Sequence, residues 1–290
     1  MTLADLVAAS ATQLEAARLV FGHGTSNAHD EAAWLVLWSL GLPLDSTLDD
    51  PAELSASACQ KAQALVAERI RTRKPAPYLT HEAWLQGYAF YVDERAIVPR
   101  SLLAEILVDG SVDYWLGPHT QNVLDLCTGN GSLGIIATQV WPEVTVLGVD
   151  ISPEALQVAH INVARYALQD RMALRASDGL AAVRERFDLV LCNPPYVNAH
   201  SMALLPAEFA AEPALALDGN RAGGSDGMDF LRAVLPALPD HMSDQAVLLL
   251  EVGHERAHFE SAFPGLHGVW LQTSAGEDQV VLLTRQALLP

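Results

Sequence analysis

The stretch Val123-Leu124-Asp125-Leu126-Cys127-Thr128-Gly129-Asn130-Gly131-Ser132-Leu133-Gly134 runs an apolar strand into a glycine-rich turn and then a helix, read as Leu133 to Gln139. Gly129 and Gly131 let the backbone take φ > 0 or pass close to a ligand. The stretch is not read as the dinucleotide fingerprint, whose glycines cradle a pyrophosphate. An acid, Asp125, precedes these glycines, and no basic residue lies in the loop. Such a loop suits a cationic ligand carrying an ammonium group better than a polyphosphate. S-adenosylmethionine is a ligand of that kind.

Downstream, Val144 to Asp150 is a β-branched strand ending in an acid. It ends about twenty residues after the loop, the spacing at which an acid reaches a ribose hydroxyl pair. Ser152 is placed to cap the next helix and Pro153 to open it. Leu156, Ala159 and Val163 then share one helical face. A short strand, Met172 to Arg175, leads into Ala176-Ser177-Asp178-Gly179. Asp178 there can bond an adenine amino group, or it can be a solvated turn residue. A further apolar run, Phe187 to Cys192, reads as a buried strand. It delivers Asn193-Pro194-Pro195-Tyr196. The Asn193 side-chain oxygen can accept one N–H and the Pro194 carbonyl another. The two prolines fix φ and stiffen the loop, and Tyr196 offers a flat face to a planar group. The pattern therefore suits presentation of a planar amino or amide nitrogen to an electrophile. The plainer alternative is a proline-rich turn.

Around this core, residues 1–80 read as helical. Leu14, Ala17 and Phe21 recur at helical spacing, as do Ala33, Leu37 and Leu40, and Leu54 to Arg71 forms another helix. Residues 81–104, with loose alternation from Trp84 to Val98 and a glycine at 87, read as a hairpin linker. From 105 to 290 strands and helices alternate, the pattern of a parallel sheet wound with helices. Gln245 to Val252 and Gln279 to Thr284 are the late strands, expected to form an antiparallel edge. The fold class is thus α/β with a small N-terminal helical domain. Ligands in such sheets sit at the carboxyl ends of strands, where all four site elements fall.

The formal charge of −18 argues against affinity for DNA or RNA, which needs dense Lys/Arg. It suits a basic protein partner, or simply solubility. Cys59, Cys127 and Cys192 lie far apart, as expected of a reducing compartment. No basic-then-apolar leader opens the chain, and no apolar run is long enough to span a membrane. The expected location is cytoplasmic. His254-Glu255-Arg256-Ala257-His258 matches the zinc-protease pattern H-E-x-x-H. It follows directly on a strand and turn with no third ligand at a family spacing, so it is read as a surface helix, and no metal site is expected.

Taken together, Asp125–Gly131, Asp150, Asp178 and Asn193–Tyr196, each after a strand and in this order, resemble the class I S-adenosylmethionine-dependent methyltransferases. Within them the chain resembles the protein-glutamine N(5)-methyltransferases over nearly its whole length. Phe90 to Ser101, Glu208-Phe209, Glu212-Pro213 and the Gly223–Gly227 loop share in the likeness. Tyr91-Val92-Asp93-Glu94-Arg95 and Tyr196-Val197-Asn198 resemble the branch that methylates large-subunit ribosomal protein L-three, and Val98-Pro99-Arg100 continues here with Ser101-Leu102-Leu103-Ala104-Glu105. The release-factor branch continues the Val-Pro-Arg signature with Pro and an acidic run.

The resemblance implies a Rossmann-like parallel sheet with an antiparallel edge, and S-adenosylmethionine as cofactor. It implies cofactor binding by Asp125, Cys127, Thr128, Gly129, Gly131, Asp150, Ile151, Ser177, Asp178 and Asn193. It implies Asn193, Pro194 and Tyr196 as catalytic residues, and Asn193–Tyr196 with Arg100 as the substrate site. The implied partner is ribosomal protein L-three, with release factors as the alternative. The helical domain would recognise that protein. Rival readings are a nucleic-acid amino-methyltransferase and a cofactor-binding scaffold without chemistry.

Overall fold

A computed structural model describes residues 1–117 and 120–289. Four helices come first: α1 (Leu3–Ala16), α2 (Ala28–Leu40), α3 (Ala56–Thr72) and α4 (Ala76–Thr80). Thr2, Asn27 and Ser55 cap the first three, each accepting a backbone N–H one turn on. Gly41 closes α2 in the left-handed conformation, as Gly41-Leu42-Pro43 predicts. Leu6, Val7, Leu14, Leu35, Leu37 and Val66 bury their side chains in a core of their own.

The linker holds a tighter hairpin than the alternation from Trp84 to Val98 predicts. Only β1 (Ala83–Leu85) and β2 (Tyr88–Phe90) pair, around Gln86 and Gly87. Both turn residues have positive φ, 49° and 80°, the signature of a two-residue turn matched to strand twist. Residues 91–102 then run as irregular backbone into α5 (Leu103–Asp109), which straddles the boundary expected at 104/105.

The wound sheet follows as β3 (Asn122–Leu126), α6 (Ser132–Val140), β4 (Thr145–Asp150), α7 (Pro153–Arg165), β5 (Met172–Ala176) and β6 (Phe187–Cys192). Then come α8 (Ala199–Ala203), α9 (Ala207–Ala210), α10 (Asp229–Val234), β7 (Met242–Glu251), α11 (Arg256–Ala262), β8 (Val269–Thr273) and β9 (Gly276–Thr284). One seven-stranded sheet has the order β5-β4-β3-β6-β7-β9-β8. β3 to β7 run parallel to one another, and β9 runs antiparallel to both β7 and β8.

The pairing of β7 with β9 is as expected, but β9 is not the edge. β8, absent from the sequence reading, lies outside it. Its exposed Val269 and Gln272 and buried Leu271 and Thr273 mark a short strand with one wet face. Alternation sorts the sheet into two cores. Val123, Leu189, Leu191, Val247 and Leu249 face α5, α6 and α7. Leu124, Val190, Cys192, Leu248 and Leu250 face α10 and α11. Burial on both faces is why the central strands read as unbroken apolar runs.

Candidate active site

The carboxyl ends of β3, β4, β5, β6 and β7 open on one cavity of about 380 Å³, within the range of small-molecule sites. Cys127, Thr128, Gly129, Asp150, Ile151, Ser177, Asp178, Asn193, Pro194, Pro195, Tyr196 and Arg100 all line it. Asp125 and Gly131 do not, a correction to the sequence reading. Asp125 is fully buried beneath the loop. Its Oδ2 accepts the Thr128 hydroxyl at 2.5 Å and the Gly134 N–H at 2.9 Å. Burial pushes its carboxyl up to about 6, only partly offset by those two bonds. Asp125 therefore shapes the loop from below and does not itself meet a ligand's cation.

Gly131 (φ +83°) makes the sharp turn into α6, and a Cβ there would come 3.3 Å from Ala159. Gly129, Gly131 and Gly134 do in fact keep the G-x-G-x-x-G spacing. Gly134 supplies the close helix-to-sheet contact, for a Cβ would sit 2.7 Å from Met172 and 3.0 Å from Val146. Cys127 takes a left-handed φ of 64° at the start of the turn. The neighbouring Cys192 thiol and burial both raise its own thiol well above the usual range, so it serves as packing and not as a nucleophile.

At the end of β4, Asp150 ties two loops together. Its Oδ2 accepts the Gly129 N–H at 2.9 Å and its Oδ1 the Ser152 N–H at 2.9 Å. Each carboxylate oxygen keeps a second lone pair. Burial raises its carboxyl despite these bonds. The Ser177 hydroxyl is spent on its own turn, donating to the Gly179 carbonyl at 2.7 Å and accepting the Ala182 N–H. Phe230, from α10, joins Asp178 and Gly179 in the wall. Periodicity alone could not single out that aromatic residue.

At the other end stands Asn193-Pro194-Pro195-Tyr196. Among the described residues, no group hydrogen-bonds the Asn193 side chain or the Pro194 carbonyl. Tyr196 is fixed on two sides. Its hydroxyl donates to Glu251 Oε1 at 3.2 Å. Gly253 (φ +53°) lies so close that a Cβ would meet the ring at 2.5 Å. Glu251 also accepts the Ser101 hydroxyl at 2.5 Å and the Leu102 N–H at 2.9 Å. Burial pushes its carboxyl up, partly offset by those donors. Glu251 was missed in the sequence, although an acid ending an apolar strand is the same signal that singled out Asp150. Arg100 forms a two-pronged pair with Glu212 at 2.7 and 2.8 Å and lies over the Phe209 ring. It lines the cavity already neutralised.

Sequence comparison bears on this arrangement. A model of the methyltransferase small domain matches residues 102–220. The ribosomal protein uL3 glutamine methyltransferase of Bordetella pertussis is 48% identical over 99% of this chain and 96% of its own. That of Burkholderia pseudomallei is 46% identical over 97% of this chain and 94% of its own. The chain belongs to this family of glutamine methyltransferases. Among solved structures, the hMettl16 catalytic domain with an RNA hairpin superposes with a TM-score of 0.52 at 12% identity. It covers 79% of this chain and 81% of that one, a likeness of fold alone.

The family's methyl donor, S-adenosylmethionine, fits the residues present. Asp150 offers two acceptor lone pairs to a vicinal diol. Asn130 Nδ2 lies buried in the cavity wall with no protein partner among the described residues, a donor free for a carboxylate. The H-E-x-x-H look-alike, His254 to His258, is built differently from a zinc helix. Gly253–Glu255 is a 3₁₀ turn, and α11 starts only at Arg256. Glu255 accepts the Asn198 side-chain amide at 2.6 Å and meets His258 Nδ1 at 2.5 Å, so it anchors the backbone just beyond Tyr196. His254 lines the cavity. Among the described residues, no three His, Cys, Asp or Glu side chains are grouped to hold a metal.

Proposed function

We propose that this chain transfers a methyl group from S-adenosylmethionine to the side-chain nitrogen of a glutamine in ribosomal protein uL3. The observation that carries the reading is the pair of free acceptors, the Asn193 side chain and the Pro194 carbonyl, at one end of a cavity whose other end holds Asp150 and the Thr128–Asn130 loop. When bound, the cofactor supplies an electrophilic methyl on a sulfonium and needs no metal. Asp150 would hold its ribose, Asp178 and Phe230 its adenine, and Thr128, Gly129 and Asn130 its amino-acid end.

An amide nitrogen is a poor nucleophile because its lone pair is delocalised into the carbonyl. The protein's work is therefore orientation and charge stabilisation. Asn193 Oδ1 and the Pro194 carbonyl accept the two amide hydrogens, and both bonds strengthen as positive charge grows on nitrogen. Tyr196, wedged between Glu251 and Gly253, packs against the amide plane. The proton leaves the methylated nitrogen late, once methylation has made it acidic.

The helical region would dock the protein substrate, and the net charge of −18 would favour a basic partner. The site of action is then the cytoplasm. No helix among the described residues is long and apolar enough to cross a membrane.

Two experiments test these assignments. Asp150→Ala should weaken cofactor binding by about 1–3 kcal/mol, the cost of leaving polar groups unpaired. Calorimetry finding unchanged affinity would remove Asp150 from the ribose role. Purified uL3 and a release factor, incubated side by side at matched concentration, should divide sharply in favour of uL3. Preference for the release factor would overturn the branch and keep the chemistry.

A further inference from the structure

The helical region reaches the cavity wall through buried polar contacts. His23, in the loop after α1, places Nε2 3.2 Å from Glu212 Oε2, and the two side chains are 1% and 0% exposed. The other ring nitrogen, Nδ1, is buried with no partner among the described residues, so Nε2 carries the hydrogen and donates it to the carboxylate. Glu212 Oε1 accepts the Val98 N–H at 2.9 Å, and the two oxygens share the Arg100 guanidinium. The His23 ring also packs on Phe209, with centroids 4.3 Å apart, and Arg100 lies over that same phenyl ring. Gly22 keeps the loop close enough, since a Cβ there would stand 3.1 Å from the Phe209 ring. Val98, Arg100 and Phe209 line the cavity beside Asn193–Tyr196, whereas His23 and Glu212 do not.

We propose that His23 is a positioning residue: through Glu212 and Phe209 it aligns Arg100 and the 206–213 segment at the substrate end of the cavity, so that the helical region completes the active site as well as docking the substrate. The proposal rests on the reading that this end receives the glutamine. The Glu212 carboxylate accepts four hydrogen bonds, two from Arg100, one from Val98 and one from His23. Three of them come from the segment 98–100, which lines the cavity. Only the His23 bond comes from the helical region, so of these four it alone ties the carboxylate to that region. Burial would push Glu212 up, but His23 and Arg100 together hold it below the usual carboxylate range, so it stays charged. A second tether, Arg73 Nε to Glu208 Oε1 at 2.8 Å, keeps the segment docked when His23 changes. Loss of His23 should therefore misalign the wall without releasing it. The same contacts mean that deleting residues 1–80 strips partners from Glu208 and Glu212 at the substrate end of the cavity.

His23→Gln keeps an N–H near the Nε2 position, and His23→Leu removes it. Steady-state kinetics use whichever of uL3 and the release factor the wild type modifies. In the Leu variant, kcat should fall about tenfold or more, as for small misplacements of a reacting group. KM and cofactor affinity should stay within about threefold of wild type, and the Gln variant should keep kcat within the same margin. Hydrogen exchange at the Val98 amide should quicken in Leu and not in Gln. Wild-type kcat and exchange in His23→Leu would overturn the proposal. So would equal impairment of Leu and Gln, which would make the role one of volume, or a loss confined to KM. If the Leu variant does not fold, His23→Asn, whose shorter amide falls short of Glu212, takes its place with the same expectations. If the wild type modifies neither protein, the glutamine reading fails, and exchange at Val98 still decides the tether.

Discussion

Asn193→Ala should lower kcat by about 10²-fold or more, the usual consequence of losing one preorganised hydrogen-bonding group at a reacting centre. Cofactor affinity should stay near that of the wild type. The reasoning is geometric: the side chain is free of protein partners and faces the cavity, so its bond is made to the substrate and tightens as charge develops. Asn193→Asp is an informative companion. It keeps an acceptor of the same reach but adds a charge, so it should retain more turnover than Ala if acceptance of the amide hydrogen is what matters. Single-turnover rates measured with saturating cofactor separate this from a binding defect. A near-wild-type rate in Asn193→Ala would remove the residue from the mechanism.

Glu251→Ala should be the most destabilising single change at the site. It strands three donors, the Tyr196 hydroxyl, the Ser101 hydroxyl and the Leu102 N–H, in a place where Glu251 itself is only 4% exposed. At about 1–3 kcal/mol for each buried unpaired group, the total loss is on the order of 3 kcal/mol or more. Urea unfolding should show it as a lower midpoint with an unchanged slope. Activity should fall as well, because Tyr196 loses one of its two constraints. A midpoint equal to that of the wild type would mean that solvent or a rearranged side chain satisfies these donors.

Much of the site was legible because it obeys local rules. Asp150 and Asn193–Tyr196 end apolar strands, and strand ends are where a wound parallel sheet binds ligands. The same rule, applied to Val247–Glu251, would have singled out Glu251. Asp125 misled because charge was read without burial. An acid next to glycines looks like a cation's partner, yet alternation along β3 points it under the loop, where Thr128 and Gly134 take it. What sequence could not reach were contacts between distant segments. His23 and Glu212 lie 189 residues apart, and Ser101 and Glu251 lie 150 apart. No periodicity encodes either pairing. β8 escaped because a five-residue strand with one wet face gives a weak pattern.

The central claim is that the cavity methylates a glutamine amide. Fragment-ion mass spectrometry of uL3, after incubation with the protein and S-adenosylmethionine carrying a labelled methyl, tests it most directly. The expected result is one labelled methyl on the side-chain nitrogen of a single glutamine, absent when Asn193→Ala replaces the wild type. A methyl on another side chain, or transfer to nucleic acid with the protein untouched, would contradict it.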